Sequence, residues 1–179
     1  MEKLVLNDKT FVPFISYEQI GEATDRIAER INADYRGSED VPILLCVLNG
    51  SIMFTAELMK RLDFNCEFAT IKLSSYEGMS STGKVKVTSP LTADIKGRKV
   101  IIVEDIVDTG NTIVALKEML LDGGAADVRI CTMLLKPEVY KRDVKLDYIA
   151  MEIPNRFIVG FGLDYDEIGR NTRDIYVLE

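Results

Sequence analysis

Apolar residues are distributed along this chain in two alternating patterns. A continuous apolar run at 41–48 predicts a buried strand, and 64–73, 100–103 and 128–135 predict further strands. Stretches of helical period lie between them. Ser16-Tyr17-Glu18-Gln19 has capping-box spacing, and Ile20, Ala23, Ile27 and Ile31 then recur on one helical face, so 17–33 predicts a helix. Residues 51–62 predict a second helix, and 112–122 a third, stopped by Gly123-Gly124. Shorter strands are predicted at 148–151 and 158–161. Strands alternating with helices predict an α/β domain around a parallel sheet. Ligands collect at the carboxyl ends of such strands, and Asn49-Gly50, Glu104-Asp105 and Lys136 all fall there. The segment 74–87 breaks the pattern: it is small, polar and glycine-flanked, which fits a solvated hairpin loop or a lid over a site.

The 179 residues predict one domain, and a 47 % hydrophobic share is enough for a full core. No apolar run reaches membrane-spanning length. The first residues lack the apolar stretch of a signal peptide, and the three cysteines, Cys46, Cys66 and Cys131, have no metal-ligand spacing. The expectation is a cytoplasmic protein with reduced thiols and no membrane partner. A net charge of −7 argues against a nucleic-acid partner. The chain has no histidine. That excludes a Ser-His or Cys-His nucleophile pair and any histidine-ligated metal. Proton transfer then falls to carboxylates, Lys, Tyr or Cys, and a metal would be a hard, oxygen-liking cation such as magnesium.

The stretch from Val100 to Thr112 concentrates the chemistry. Val100-Ile101-Ile102-Val103 runs into two adjacent carboxylates, Glu104 and Asp105, and a third follows at Asp108. The turn Thr109-Gly110-Asn111-Thr112 then leads at once into a helix. A hydroxyl-rich loop on a helix N-terminus is a phosphate cradle, because free N–H groups and the helix dipole both favour an anion. The acids suit something else on the same ligand: a sugar diol, a metal or a proton.

This stretch resembles the phosphoribosyl-diphosphate signature of the type I phosphoribosyltransferases. Three further motifs, in the same order as in that family, narrow the resemblance to its hypoxanthine (hypoxanthine-guanine) branch. Leu48-Asn49-Gly50-Ser51 resembles the pyrophosphate loop, and Ser75-Tyr76 the pair that opens a mobile loop at 75–87. Lys136, then Glu152 through Gly160, Leu163-Asp164-Tyr165 and Arg170 resemble the purine-binding and C-terminal segment. The resemblance implies one phosphoribosyltransferase domain over 1–179, with a mostly parallel sheet flanked by helices and a small hood from the N- and C-terminal segments. It implies transfer of a 5-phosphoribosyl group from 5-phosphoribosyl 1-diphosphate to hypoxanthine or guanine, releasing pyrophosphate through an oxocarbenium-like state. Magnesium is the implied cofactor, and a homodimer or homotetramer the implied assembly.

The resemblance also implies roles. Thr109, Gly110, Asn111 and Thr112 cradle the 5′-phosphate. Glu104 and Asp105 hold the ribose diol, directly or through magnesium. Asp108 is the general base that takes or holds a proton on the purine's five-membered ring. Lys136 donates to the 6-oxo group, Phe157 stacks on the base, and the Ile158 backbone meets its Watson–Crick edge. Asp164 ligates magnesium bound to pyrophosphate, Arg170 clamps that pyrophosphate, and Ser75 and Tyr76 bind substrate from the mobile loop. A cis peptide between Leu48 and Asn49 is implied as well. Asn49 departs from the family, where a basic residue is common; the backbone donors of Asn49, Gly50 and Ser51 then carry more of the pyrophosphate binding. Competing readings are a xanthine-preferring transferase, a regulator on the same fold that binds nucleic acid, and an unrelated phosphate-binding α/β protein.

Overall fold

The computed structural model describes residues 2–75 and 85–179. In chain order the elements are β1 (Leu4–Leu6), β2 (Lys9–Ile15), α1 (Tyr17–Tyr35), β3 (Ile43–Leu48), α2 (Ile52–Met59), β4 (Glu67–Ser75), β5 (Val85–Ser89), β6 (Lys99–Val107), α3 (Asn111–Asp122), β7 (Asp127–Leu135), β8 (Tyr148–Glu152), β9 (Ile158–Val159) and β10 (Ile175–Leu178). Residues 76–84, which hold Tyr76 and most of the predicted loop at 75–87, lie outside the described residues; Ser75 closes β4 and 85–87 open β5.

The large sheet has the order β5-β4-β3-β6-β7-β8. All its pairings are parallel except that of β5 with β4 at the edge. The apolar runs explain this: strands such as β6, whose Val100 to Val103 are fully buried, are covered on both faces. On one face Ile20, Ile27 and Ile31 of α1 and Phe54 and Leu58 of α2 pack against Leu44, Ile101 and Val103. On the other, Ile113, Leu116 and Leu120 of α3 pack against Leu45, Ile102 and Ile130. Each such buried side chain contributes roughly 1.5–3 kcal/mol of hydrophobic stabilisation. Cys46 and Cys131 are fully buried in this core, and all three cysteines are free. Among the described residues no helix is long and apolar enough to cross a membrane.

A second sheet, β1-β2-β10-β9, is antiparallel and joins the two ends of the chain. The apolar pattern does not reveal β1, β2 and β10. Pro13 interrupts β2, and the β2–β10 register shifts between Ile175 and Tyr176, opposite Ile15 and Pro13.

Boundaries move for local reasons. The Ser16 capping box forms as predicted, and α1 runs on to Tyr35. The second helix ends at Met59 instead of 62. Asn32 of α1 catches the departing chain, donating to the Arg61 carbonyl at 2.9 Å and accepting from the Asp63 N–H at 3.0 Å. Phe64, predicted in a strand, stacks on Tyr35 at 5.1 Å, and β4 starts at Glu67, where pairing with Ile43 begins. The strand at 158–161 stops at Val159 because Gly160 and Phe161 both have positive φ.

One boundary matters for chemistry. β6 does not end at Val103 but runs to Val107, so Glu104 and Asp105 are strand residues. Its ladder with β7 continues to Val107↔Leu135, whereas its ladder with β3 stops at Cys46↔Val103. On that side the last residues of β6 therefore face the loop leaving β3, while the other side stays paired with β7.

Candidate active site

That loop fills the gap beside Asp105. The peptide between Leu48 and Asn49 is cis. A Cβ placed on Gly50 would lie 1.6 Å from Asp105 Oδ2, so only glycine admits this carboxylate. Ser51 turns inward: its hydroxyl donates to the Val47 carbonyl at 2.7 Å, and its N–H faces the same oxygen at 3.4 Å. The loop's outward donors thus reduce to Asn49 and Gly50, a correction to the expectation that included Ser51.

Glu104 and Asp105 point to opposite faces of β6, as strand alternation requires. Glu104 lines the cleft of the following loop, and its Oε2 is buried without a hydrogen-bond partner. Burial, with the Asp105 charge beside it, pushes the Glu104 carboxyl well above the usual range. Burial likewise pushes Asp105 up to about 6, against the pull of the Ile106 N–H, which donates to Oδ1 at 2.7 Å. The two acids are thus adjacent, half-buried and on opposite faces of the strand, and one keeps an oxygen without a partner. Among the described residues, however, no three acids or cysteines come together closely enough to hold a metal alone. Asp164, expected to ligate magnesium on pyrophosphate, is paired with Arg170.

β6 then runs into the phosphate-type loop. Gly110 has φ 83° and caps α3 with no side-chain hydrogen bond. That left-handed turn suits glycine and leaves the first N–H groups of α3 without intrahelical partners. A cleft of about 100 Å³ is lined by Glu104 and by residues from Ile106 through Ile113, so Asp108, Thr109, Gly110, Asn111 and Thr112 gather as predicted. The Gly110 position is closed from outside by the Tyr140 ring, and Arg142 donates to Asn111 Oδ1. Neither residue stands out in the sequence, because both lie in a charged segment with no recognisable pattern.

Lys136 leaves the end of β7 and is 8 % exposed. Its backbone N–H donates to the Val107 carbonyl at 3.0 Å, and its ammonium donates to Asp108 Oδ2 at 3.1 Å. Two residues predicted separately are thus an ion pair. Pairing continues through Leu135↔Glu152 and from the Ile153 N–H to the Leu135 carbonyl, which starts the Phe157 segment beside Lys136. Phe157 is 47 % exposed, which rules out a core role, and Tyr165 meets it edge-on at 5.9 Å. Ile158 is buried in β9, opposite Val177.

Arg170 closes the far side. It donates to the Gly162 carbonyl at 2.9 Å, to Asp164 Oδ1 at 2.8 Å and to Glu167 Oε2 at 2.9 Å. Asp164 Oδ2 accepts from the Glu167 N–H at 2.9 Å. A Cβ on Gly162 would lie 2.0 Å from the Gly50 carbonyl, so this loop abuts the Asn49-Gly50 loop. Strand ends from β3, β6 and β7 thus bring together acids, a phosphate cradle, a buried lysine and an exposed aromatic ring.

A phosphoribosyl transferase domain model matches residues 16–166. The chain is 43 % identical over 166 residues to a hypoxanthine-guanine phosphoribosyltransferase of Streptococcus pneumoniae, covering 92 % of this chain and 91 % of that relative. A crystal structure of a hypoxanthine phosphoribosyltransferase from Staphylococcus aureus superposes with a TM-score of 0.88 at 33 % identity, over 94 % of this chain and 91 % of the other. The hypoxanthine phosphoribosyl transferase of Trypanosoma cruzi gives a TM-score of 0.89 at 34 % identity, over 98 % and 95 %.

Proposed function

The chain belongs to the phosphoribosyl transferase domain family, and on that premise we propose that it transfers the phosphoribosyl group of 5-phosphoribosyl 1-diphosphate to hypoxanthine or guanine, the bases in its relatives' names. The products are the nucleoside 5′-monophosphate and pyrophosphate, and the role is purine salvage. The observation that carries the reading is the run from buried acids to an open phosphate cradle on one strand, with Lys136 paired to Asp108 beside it.

The chemistry needs placement more than covalent help. An oxocarbenium-like centre forms between a departing pyrophosphate and an arriving purine nitrogen, so positioning and charge supply most of the acceleration. The N–H groups and hydroxyls from Thr109 to Thr112 hold the 5′-phosphate at one end. Asn49 and Gly50 offer backbone donors to the pyrophosphate at the other, and Arg170 adds its guanidinium by exchanging Glu167 or Asp164 for phosphate oxygens. Lys136 donates to the 6-oxo group, and the exposed face of Phe157 stacks on the base. Asp108 takes or holds the proton of the purine's five-membered ring, and the Lys136 ammonium, donating to its Oδ2 at 3.1 Å, orients it.

The orphaned Oε2 of Glu104 and the oxygen-only donor set of the neighbouring acids fit a hard cation such as magnesium. Glu104 and Asp105 would hold it with the substrate's own oxygens, and Asp164 would serve a second ion on pyrophosphate. Bound there, the cation would supply positive charge to the departing pyrophosphate. The single-domain reading, closure of 75–87 by Ser75 and Tyr76, a homodimer or homotetramer and a cytoplasmic location complete the proposal. The test is a turnover assay with ribosyl diphosphate and a panel of bases. Stoichiometric release of pyrophosphate and inosine monophosphate from hypoxanthine supports it, and no product from any 6-oxopurine contradicts it.

A further inference from the structure

The segment after β7 crosses the start of α3. A Cβ at Gly110 would lie 2.5 Å from Tyr140 Cε2 and 3.0 Å from Arg142 Cγ, so the Tyr140 ring and the Arg142 stem together cover this glycine. The segment is tied at both ends. The Val139 and Tyr140 N–H groups donate to the Lys136 carbonyl at 3.2 and 3.1 Å, and the Tyr140 hydroxyl donates to the Val144 carbonyl. From this brace the Arg142 guanidinium donates to Asn111 Oδ1.

Asn111 is the wall between two depressions. It lines the phosphate-loop cleft, and with Arg142, Val114, Ala115 and Glu118 it lines an outer groove of about 170 Å³. A guanidinium only donates, so the amide must turn its oxygen outward to Arg142 and its two N–H donors away from it. Donors suit an anion in the cleft, whereas the amide oxygen would repel one. Arg142 is also a cation at the positive end of the α3 dipole. That placement is unfavourable by itself and becomes favourable when an anion occupies the loop.

We propose that Arg142 is a positioning residue for the 5′-phosphate end of the substrate. Through Asn111 it fixes which atoms of the amide meet the phosphate, and with Tyr140 it holds the loop in shape over Gly110. The inference rests on the function proposed above.

The test compares parent, Arg142→Met and Arg142→Lys in binding ribose 5-phosphate and, separately, pyrophosphate. Met keeps the stem over Gly110 and removes every donor; Lys restores one. Arg142→Met is expected to weaken ribose 5-phosphate about tenfold, the worth of one good hydrogen bond, and to raise KM for ribosyl diphosphate more than it lowers kcat. Pyrophosphate affinity stays within about twofold, since its donors lie at Asn49, Gly50 and Arg170, and Arg142→Lys recovers most of the loss. In an Asn111→Ala background Arg142→Met costs less than about twofold, the coupling expected of residues in contact. Unchanged ribose 5-phosphate affinity, equal weakening of both ligands, or an undiminished effect without Asn111 overturns the inference and leaves the function standing. A parent that binds neither ribose 5-phosphate nor ribosyl diphosphate overturns both.

Discussion

The Lys136 ammonium donates to Asp108 Oδ2 across 3.1 Å, joining the two groups proposed to meet the base's oxygen and its ring nitrogen. The lysine is the buried partner; the Asp108 side chain is half exposed. A buried ammonium needs an acceptor, and Asp108 supplies one. Asp108→Asn keeps an oxygen that accepts from Lys136 and is expected to fold as the parent does, with kcat lowered about 100- to 10,000-fold. Asp108→Ala leaves the ammonium alone and is expected to cost about 1–3 kcal/mol of stability as well. Steady-state rates and melting temperatures check the pair. A kcat within about threefold of the parent in Asp108→Asn removes Asp108 from the proton path.

Gly50 and Asp105 share one space. Since a Cβ on Gly50 would lie 1.6 Å from Asp105 Oδ2, Gly50→Ala is expected to destabilise by about 1–3 kcal/mol and to cost most of the activity. Adding Asp105→Ala opens the space, so the double variant regains stability but not turnover. A double-mutant cycle by denaturant titration measures this coupling. Strictly additive losses would mean that the clash is relieved elsewhere.

The raised acids give stability a pH signature. Burial lifts Asp105 from an ordinary 3.8 to about 6, so the folded state holds its proton more tightly than the unfolded chain does. The stabilisation is full below about pH 3.8 and is lost as pH rises through about 6. At pH 7.5 the unliganded protein therefore carries strained charge that Asp105→Asn relieves. Allowing for partial solvent access, the relief is about 1 kcal/mol, or about 2–4 °C in Tm for a domain of this size. At pH 4 the difference is expected to vanish. Thermal melts of both proteins at the two pH values check this; a Tm gain that is the same at both would contradict the assigned cause.

Much of this was legible in the sequence because the apolar runs specify buried strands directly. The phosphate loop was legible for a local reason: acids, a left-handed glycine and a helix start are contiguous from Glu104 to Asn111. What pairs across distant segments was not. Nothing in the pattern near Lys136 names Asp108 as its partner, and nothing near Gly162 announces the Gly50 carbonyl. The terminal sheet escaped because Pro13 and the register shift at Ile175 break the alternation that marks a strand. Phe157 could not be assigned to core or ligand until its exposure was known.

The central claim is that Lys136, held beside the phosphate loop by Asp108, reads a 6-oxopurine. An ammonium has donors and no acceptor. Hypoxanthine and guanine offer it an oxygen, whereas adenine offers an amino group and leaves a buried charge unpaired. Sites built on such a bond reject the analogue lacking it by about 10,000-fold or more. The deciding measurement is kcat/KM for hypoxanthine, guanine and adenine with ribosyl diphosphate, in the parent and in Lys136→Met. The account predicts efficient use of hypoxanthine and guanine, negligible use of adenine, and a variant that loses most of its hypoxanthine activity while its gap to adenine narrows. Comparable use of adenine by the parent, or an unchanged base preference in Lys136→Met, would contradict it.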